Sequence, residues 1–125
     1  MARRILIIDD EEDIRQVAAL SLETVAGWEV DVASNGAQGI ERALALRPDA
    51  ILLDVMMPVM DGPATFHELE RLFKDHPIPV LLLTAKVQSS DTRHFADLGV
   101  TAILSKPFDP LTLADQIRAA LGWSD

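Results

Sequence analysis

The sequence predicts a single α/β domain built on a doubly wound parallel sheet, and two observations indicate this fold class. Short runs rich in branched apolar residues alternate with longer segments of helical period along the 125 residues, as in consecutive βαβ units. Most of the short runs are apolar at every position, whereas a sheet with one wet face would alternate apolar and polar residues. We therefore expect five strands and five helices, with helices covering both faces of the sheet.

Five runs predict the strands, in chain order RILIID (4–9), WEVDVA (28–33), AILLD (50–54), PVLLLTA (79–85) and VTAILS (100–105). Helices are predicted between and after them, the fourth near VQSSDTRHFADLG, and Gly27 and Gly99 are placed to end helices. Apolar residues at helical spacing predict the buried faces. These residues are Ile14, Val17, Ser21 and Val25; Ala37, Ile40 and Leu44; Phe66, Leu69 and Phe73; and Leu113, Ile117 and Leu121.

The composition excludes several classes of function. With 11 basic and 20 acidic residues the net charge is −9, which would repel a nucleic-acid backbone or an anionic membrane surface. The chain has no cysteine, so it can form neither a disulfide framework nor a thiolate zinc site. It also lacks a long apolar stretch and a signal peptide, which predicts a soluble, cytoplasmic protein. The negative charge predicts that this domain contacts neither nucleic acid nor a membrane directly.

Polar side chains follow four of the predicted strands. In an open parallel sheet, functional residues gather beyond the carboxyl ends of the strands, where the strand order reverses. The residues delivered to this edge are Asp9 and Asp10, Asp54, Thr84, and Ser105 with Lys106. Three carboxylates placed together raise one another's pKa unless a cation neutralises them, and hard oxygen ligands suit Mg²⁺. The sequence therefore predicts a magnesium site at this edge.

Four stretches of the chain resemble motifs of the receiver domains of two-component response regulators. They are ILIIDDEEDIR, ILLDVMMPVMDG, LLLTA and SKPFDP, and they occur in the family's order over essentially the whole chain. The resemblance implies one receiver domain over residues 1–125. It also implies a flavodoxin-like fold with five strands in the order 2-1-3-4-5.

The resemblance assigns a metal site and a phosphoacceptor. It implies that Asp54 accepts a phosphoryl group, with Mg²⁺, from the phosphohistidine of a sensor histidine kinase or histidine phosphotransfer protein. An ionised carboxylate is a competent nucleophile for such a transfer. By the same resemblance Asp10 binds the metal directly and Asp9 through a water molecule. The carboxylate of Asp54 and the backbone carbonyl of Met56 complete the protein ligands.

Two further residues are expected to bind the phosphoryl oxygens and to offset their negative charge. Lys106 is expected to pair with Asp54 before transfer and with a phosphoryl oxygen afterwards, and Thr84 is expected to donate a hydroxyl hydrogen bond. The resemblance implies a cis peptide bond between Lys106 and Pro107. It further implies that phosphorylation changes an interaction surface that is read by a downstream protein or an output domain.

Each assignment has a simpler explanation: Asp54 could be a turn residue at a strand end, Thr84 an ordinary strand former, and Lys106 a solvated surface lysine. Asp9 and Asp10 could only cap a helix, and Glu11, Glu12 and Asp13 are interpreted as first-turn charges that favour its start. Such a cap would not also account for Asp54 and Lys106, which favours the functional explanation.

A second class of function is a Mg²⁺-dependent phosphohydrolase that forms an aspartyl-phosphate. That class, of the haloacid-dehalogenase type, places a general acid two residues after its nucleophile, and this chain has Met56 there. The sequence therefore favours a signalling module rather than an enzyme, with self-catalysed phosphoryl acceptance and loss only.

One position departs from the family pattern. Many receivers have an aromatic residue three positions before the lysine, and this chain has Ile103. A branched aliphatic side chain has few rotamers and no polar tip, so we expect Thr84 to act on the segment 85–91 instead. The chain ends soon after the last predicted helix, at LGWSD, which fits either a single-domain regulator or a receiver from a longer protein.

Overall fold

The computed structural model describes residues 2–57, 59–85 and 97–124. The strands are β1 (Arg4–Ile8), β2 (Glu29–Ala33), β3 (Ala50–Asp54), β4 (Val80–Thr84) and β5 (Ala102–Ser105), and the helices are α1 (Glu12–Ser21), α2 (Gly36–Leu46), α3 (Gly62–Leu72) and α4 (Leu113–Leu121). A π-helical turn, Leu22–Ala26, extends α1. The predicted helix near VQSSDTRHFADLG falls largely outside the described residues. Within the described part of the chain, no helix is long and apolar enough to cross a membrane.

All five strands are parallel and form one sheet in the order β2-β1-β3-β4-β5, which confirms the predicted order. The chain moves outward from β1 in one direction to β2 and in the other to β3, so the order reverses between β1 and β3. The crevice at such a reversal is the usual ligand position in open α/β sheets.

Each face of the sheet carries its own core, as expected for a doubly wound sheet. Leu6, Ile8, Ile51, Leu53 and Leu82 face one side, where α2 and α3 pack on them. The alternate residues of the same strands face the other side and pack against α1 and α4. Because β1, β3 and β4 are covered on both faces, their positions are fixed by packing along most of their length.

The predicted buried residues are confirmed for α3, and for α4 at Leu113 and Ile117, with Leu121 partly buried. Those of α1 and α2 are partly wrong. Val17 is 43% exposed and Leu44 is 44% exposed, and Val25 and Ala37 are exposed as well. The buried residues of these helices are smaller, namely Ala18 and Ser21 in α1 and Gly36, Gly39 and Ala43 in α2. Small side chains let a helix approach the sheet closely, so a pattern weighted towards large apolar residues misplaces the buried face.

Gly39 illustrates this close approach. A Cβ atom at position 39 would lie 2.4 Å from Cδ1 and 2.7 Å from Cγ1 of Ile8, a residue buried in β1. These distances are shorter than real carbon contacts, so a side chain at this position would displace either α2 or the buried side chain of Ile8.

We therefore expect Gly39→Ala to lower the free energy of unfolding by about 1–3 kcal/mol, the usual cost of overpacking a core. Helix propensity alone would change it by up to about 1 kcal/mol in the opposite direction. Urea denaturation measures the difference, with the exposed α2 residue Glu41, changed to alanine, as the control. A Gly39→Ala variant at least as stable as the native protein would contradict the close contact with Ile8.

Candidate functional site

The parallel register brings the predicted site residues together at the carboxyl edge of the sheet. Ile8 pairs with Leu53, so the next residues, Asp9 and Asp54, lie side by side across β1 and β3. On the other side of β3, Thr84 pairs with Ser105, and the Lys106 N–H donates to the Thr84 carbonyl at 2.9 Å. Residues almost 100 positions apart in sequence are thereby placed in one crevice.

Asp9 is fully buried and is held by the backbone on both sides. Its N–H donates to the carbonyl of Ala33 at 3.1 Å, and its Oδ1 accepts from the Glu11 N–H at 2.8 Å. The side chain therefore shapes the turn before α1, but it does not cap the helix: the residue at the N-cap position is Glu11, whose side chain makes no capping hydrogen bond. Its other oxygen faces the crevice, where it lies 2.9 Å from Nζ of Lys106.

Lys106 reaches across the crevice from the turn after β5. Its Nζ lies 2.9 Å from Oδ2 of Asp9 and 3.1 Å from Oδ1 of Asp54, and the ammonium is itself mostly buried. Burial disfavours the charged ammonium, but hydrogen bonds and attraction to the two carboxylates outweigh it and leave the pKa of Lys106 raised. The Lys106–Pro107 peptide bond is cis, as the resemblance implied.

Asp54 ends β3 and is 2% exposed. Burial, together with the neighbouring Asp9 charge, raises the pKa of Asp54 from 3.8 to about 6, against the opposing attraction of Lys106. Burial likewise raises the pKa of Asp9, against the hydrogen bond from Glu11 and the pairing with Lys106. One ammonium therefore does not neutralise two buried carboxylates.

The same carboxylates form a group that could hold a metal ion. One oxygen from each of Asp9, Asp10 and Asp54 lies within 4.8 Å of the others, with Asp10 on the exposed side. Among the described residues, none donates a hydrogen bond to the buried Oδ2 of Asp54. A buried oxygen that lacks a donor, close to two further carboxylates, fits a site for a hard divalent cation.

Thr84 and Met56 occupy the walls of this crevice. Thr84 is buried at the end of β4. The Met56 N–H donates to Oδ1 of Asp54 at 3.3 Å, while the Met56 side chain is 60% exposed. All six predicted site residues thus line one crevice, although their roles stay predictions.

Gly62 packs closely against the backbone of Asp54 and Val55. The Gly62 N–H donates to the Val55 carbonyl at 3.0 Å and closes the loop that connects β3 to α3. A Cβ at position 62 would lie 2.6 Å from the Asp54 carbonyl oxygen and 2.7 Å from Cα of Val55. A glycine is therefore required here by the closeness of two backbone segments.

Two residues near the site were not predicted to act there. Glu11 was interpreted only as a charge at the helix start, yet its Oε1 lies 3.5 Å from Nζ of Lys106. Arg15 donates from Nη1 to the backbone carbonyl of Asp9 at 2.8 Å and so braces the turn between β1 and α1. Both contacts depend on side-chain direction, which sequence spacing does not give.

The expected path for the signal involves the segment 85–91 and leaves out Ile103. Ile103 is half-buried and packs against the core on the α2 and α3 side of the sheet. Of the segment 85–91, only Ala85 is described, and residues 86–91 lie outside the described part of the chain.

Comparison with known proteins identifies relatives of this site and fold. The model of the response regulator receiver domain family matches residues 5–118. RpaA of Synechocystis, a DNA-binding dual master transcriptional regulator, is 40% identical over 122 residues, which is 98% of this chain and 50% of RpaA. The chain spans about half the length of the curated relatives it matches.

Solved structures agree with these relatives. The chemotaxis protein CheY4 of Vibrio cholerae is similar with a TM-score of 0.88 and 31% identity, covering 96% of this chain and 99% of CheY4. The receiver domain of sensor histidine kinase PA1611 from Pseudomonas aeruginosa has a TM-score of 0.85 and 27% identity, covering 98% of this chain and 100% of that domain. That structure has a magnesium ion coordinated in its active-site cleft.

The raised pKa of Asp54 predicts a pH-dependent stability. A folded-state pKa of about 6 against 3.8 means that the fold favours the protonated carboxyl. The resulting stability is fully present below the unfolded pKa and is lost as the pH rises through about 6. Asp54→Asn removes this loss. We therefore expect the free energy of unfolding of Asp54→Asn, relative to that of the native protein, to be about 1–2 kcal/mol higher at pH 7.5 than at pH 4.5.

Urea denaturation in EDTA at those two pH values measures the effect, and Asp75→Asn, at an exposed aspartate after α3, is the control. A difference between Asp54→Asn and the native protein that is the same at both pH values would show that Asp54 titrates normally.

Proposed function

Because the chain belongs to the response regulator receiver domain family, we propose that Asp54 is its phosphoacceptor. Members of this family are phosphoacceptor signalling modules of two-component systems. The observation that carries the proposal is the position of Asp54, a buried carboxylate at the strand-order reversal with Lys106 at 3.1 Å and two more aspartates beside it. We further propose that residues 1–125 form one receiver domain.

The phosphoryl group comes from the phosphohistidine of a sensor histidine kinase or a histidine phosphotransfer protein. A carboxylate oxygen of Asp54 forms the new bond to phosphorus as the bond from phosphorus to the histidine nitrogen breaks, and the electron pair leaves with the imidazole. Lys106 moves from the carboxylate to a phosphoryl oxygen, and the hydroxyl of Thr84 donates to another. These steps require positioning and charge neutralisation rather than further covalent chemistry.

Mg²⁺ is the proposed cofactor, held by the carboxylates of Asp9, Asp10 and Asp54 and by the carbonyl of Met56. When bound, it neutralises charge on the carboxylates and on the transferred group. The donor set supports this metal, because it consists of oxygens and includes the buried Oδ2 of Asp54, to which none of the described residues donates a hydrogen bond. The magnesium ion in the similar PA1611 receiver points the same way.

The chain's own chemistry is proposed to end with self-catalysed acceptance and loss of the phosphoryl group. A phosphohydrolase needs an acid to protonate its leaving alcohol, and the residue two positions after Asp54 is the exposed, uncharged Met56. The output is proposed to lie in a downstream protein or a separate output domain. A net charge of −9 disfavours direct contact of this domain with DNA, although RpaA is described as DNA-binding.

Intact-mass measurement tests the assignment of Asp54. After incubation with phosphoramidate and Mg²⁺, the native protein should gain one phosphoryl group, which it should not gain in EDTA. Asp54→Asn should gain none, whereas Asp75→Asn should behave as the native protein. Full labelling of Asp54→Asn would place the acceptor on another residue.

A further inference from the structure

Val59, in the loop between β3 and α3, has an unusual backbone conformation. Its φ is +67°, in the left-handed region. A β-branched side chain is strongly disfavoured there, because its Cβ crowds the backbone, and glycine or asparagine normally takes such a position. Arg47 is also left-handed, but it ends α2, where this conformation is common. No helix end explains Val59.

The Val59 side chain is also fully exposed, with a relative accessibility of 110%. Valine is usually buried, and this side chain gains nothing from packing in the described molecule. The position is therefore unfavourable in two independent ways, through its backbone and through its apolar surface. A strained, exposed apolar residue beside a functional site suggests a contact that forms only in a complex.

The loop that carries Val59 is anchored at the acceptor. Its first residues follow Asp54 directly, where the Met56 N–H donates to Oδ1 of Asp54 at 3.3 Å, and Gly62 closes it on Val55 at 3.0 Å. Val59 and Met60 form one wall of an open recess of about 400 Å³, and residues 34–37 form the other. A protein that delivers a phosphoryl group to Asp54 must cover this edge of the sheet.

The charge around the site limits how such a protein can bind. Glu12 and Asp13 are exposed in the first turn of α1, where their charges disfavour an acidic partner surface. Apolar contact at the loop after Asp54 offers attraction without charge. The exposed side chains of Met56 and Val59 provide it, with the recess beside Val59 open to a partner side chain.

We propose that Val59 is a specificity-determining residue for phosphoryl transfer, held outward by its left-handed backbone and buried against the phosphohistidine-bearing protein when that protein docks over Asp54. This inference rests on the proposed function of Asp54. The strained valine makes the free molecule less stable than it could be, and the lost stability is recovered in the contact with the partner.

Two variants distinguish the effect of the backbone strain at Val59 from the effect of its side-chain contact with the partner. Val59→Asn keeps a side chain of similar size that tolerates the left-handed region, and Val59→Gly removes the side chain. Leu44→Ala, at an exposed leucine in α2, is the control for loss of apolar surface. Each protein is melted and then phosphorylated by two donors. The donors are phosphoramidate and the autophosphorylated sensor kinase that labels the native protein fastest among those of the source organism.

We expect Val59→Asn to melt about 2–5 °C higher than the native protein. Both Val59 variants should accept phosphate from phosphoramidate at the native rate and from the kinase about fivefold more slowly or worse, whereas Leu44→Ala should match the native protein with both donors.

Equal kinase transfer to native and variant proteins would overturn the inference, as would equal slowing with both donors or no gain in stability for Val59→Asn. A native protein that accepts phosphate from neither donor would instead overturn the proposed function of Asp54 and the inference with it.

Discussion

The Lys106 ammonium lies between two buried carboxylates, 2.9 Å from Asp9 and 3.1 Å from Asp54, and the rest of the site follows from this arrangement. One positive charge cannot balance two buried negative charges, so burial raises the pKa of both aspartates. The unbalanced negative charge favours the binding of a cation in the crevice. It also leaves Lys106 with two alternative carboxylate partners, as its proposed movement to a phosphoryl oxygen requires.

The fold supplies the rigidity that this unfavourable charge arrangement needs. Strands β1, β3 and β4 are buried on both faces, and the close approach of Gly39 to Ile8 and of Gly62 to Asp54 leaves little room for movement behind the site. The exposed apolar side chains lie instead on the solvent side of the crevice. There the loop after Asp54 carries the exposed Met56 and the strained Val59, so adaptation to a partner need not disturb the packed strands.

Sequence reasoning predicted the sheet well, because fully buried parallel strands have a strong signature. AILLD coincides with β3. The predicted strand ends placed Asp9, Asp54 and Lys106 at one edge of the sheet, and in the structure these residues are in contact there. It failed where small residues decide the packing, so that Val17 and Leu44 were placed in the core in place of Ala18 and Ala43. The contact of Glu11 with Lys106 and the backbone strain at Val59 could not be predicted, because they depend on side-chain direction and backbone dihedrals.

Calorimetric titration with Mg²⁺ at pH 6, in two buffers of different ionisation enthalpy, tests most directly whether the coupled aspartates form the proposed cation site. With the pKa of Asp54 at about 6, metal binding should displace protons from the aspartate pair. The expected result is a buffer-dependent enthalpy equivalent to about half a proton per ion, with much weaker binding in Asp10→Asn. Binding with the same enthalpy in both buffers, or unchanged binding in Asp10→Asn, would contradict a metal site built on these carboxylates.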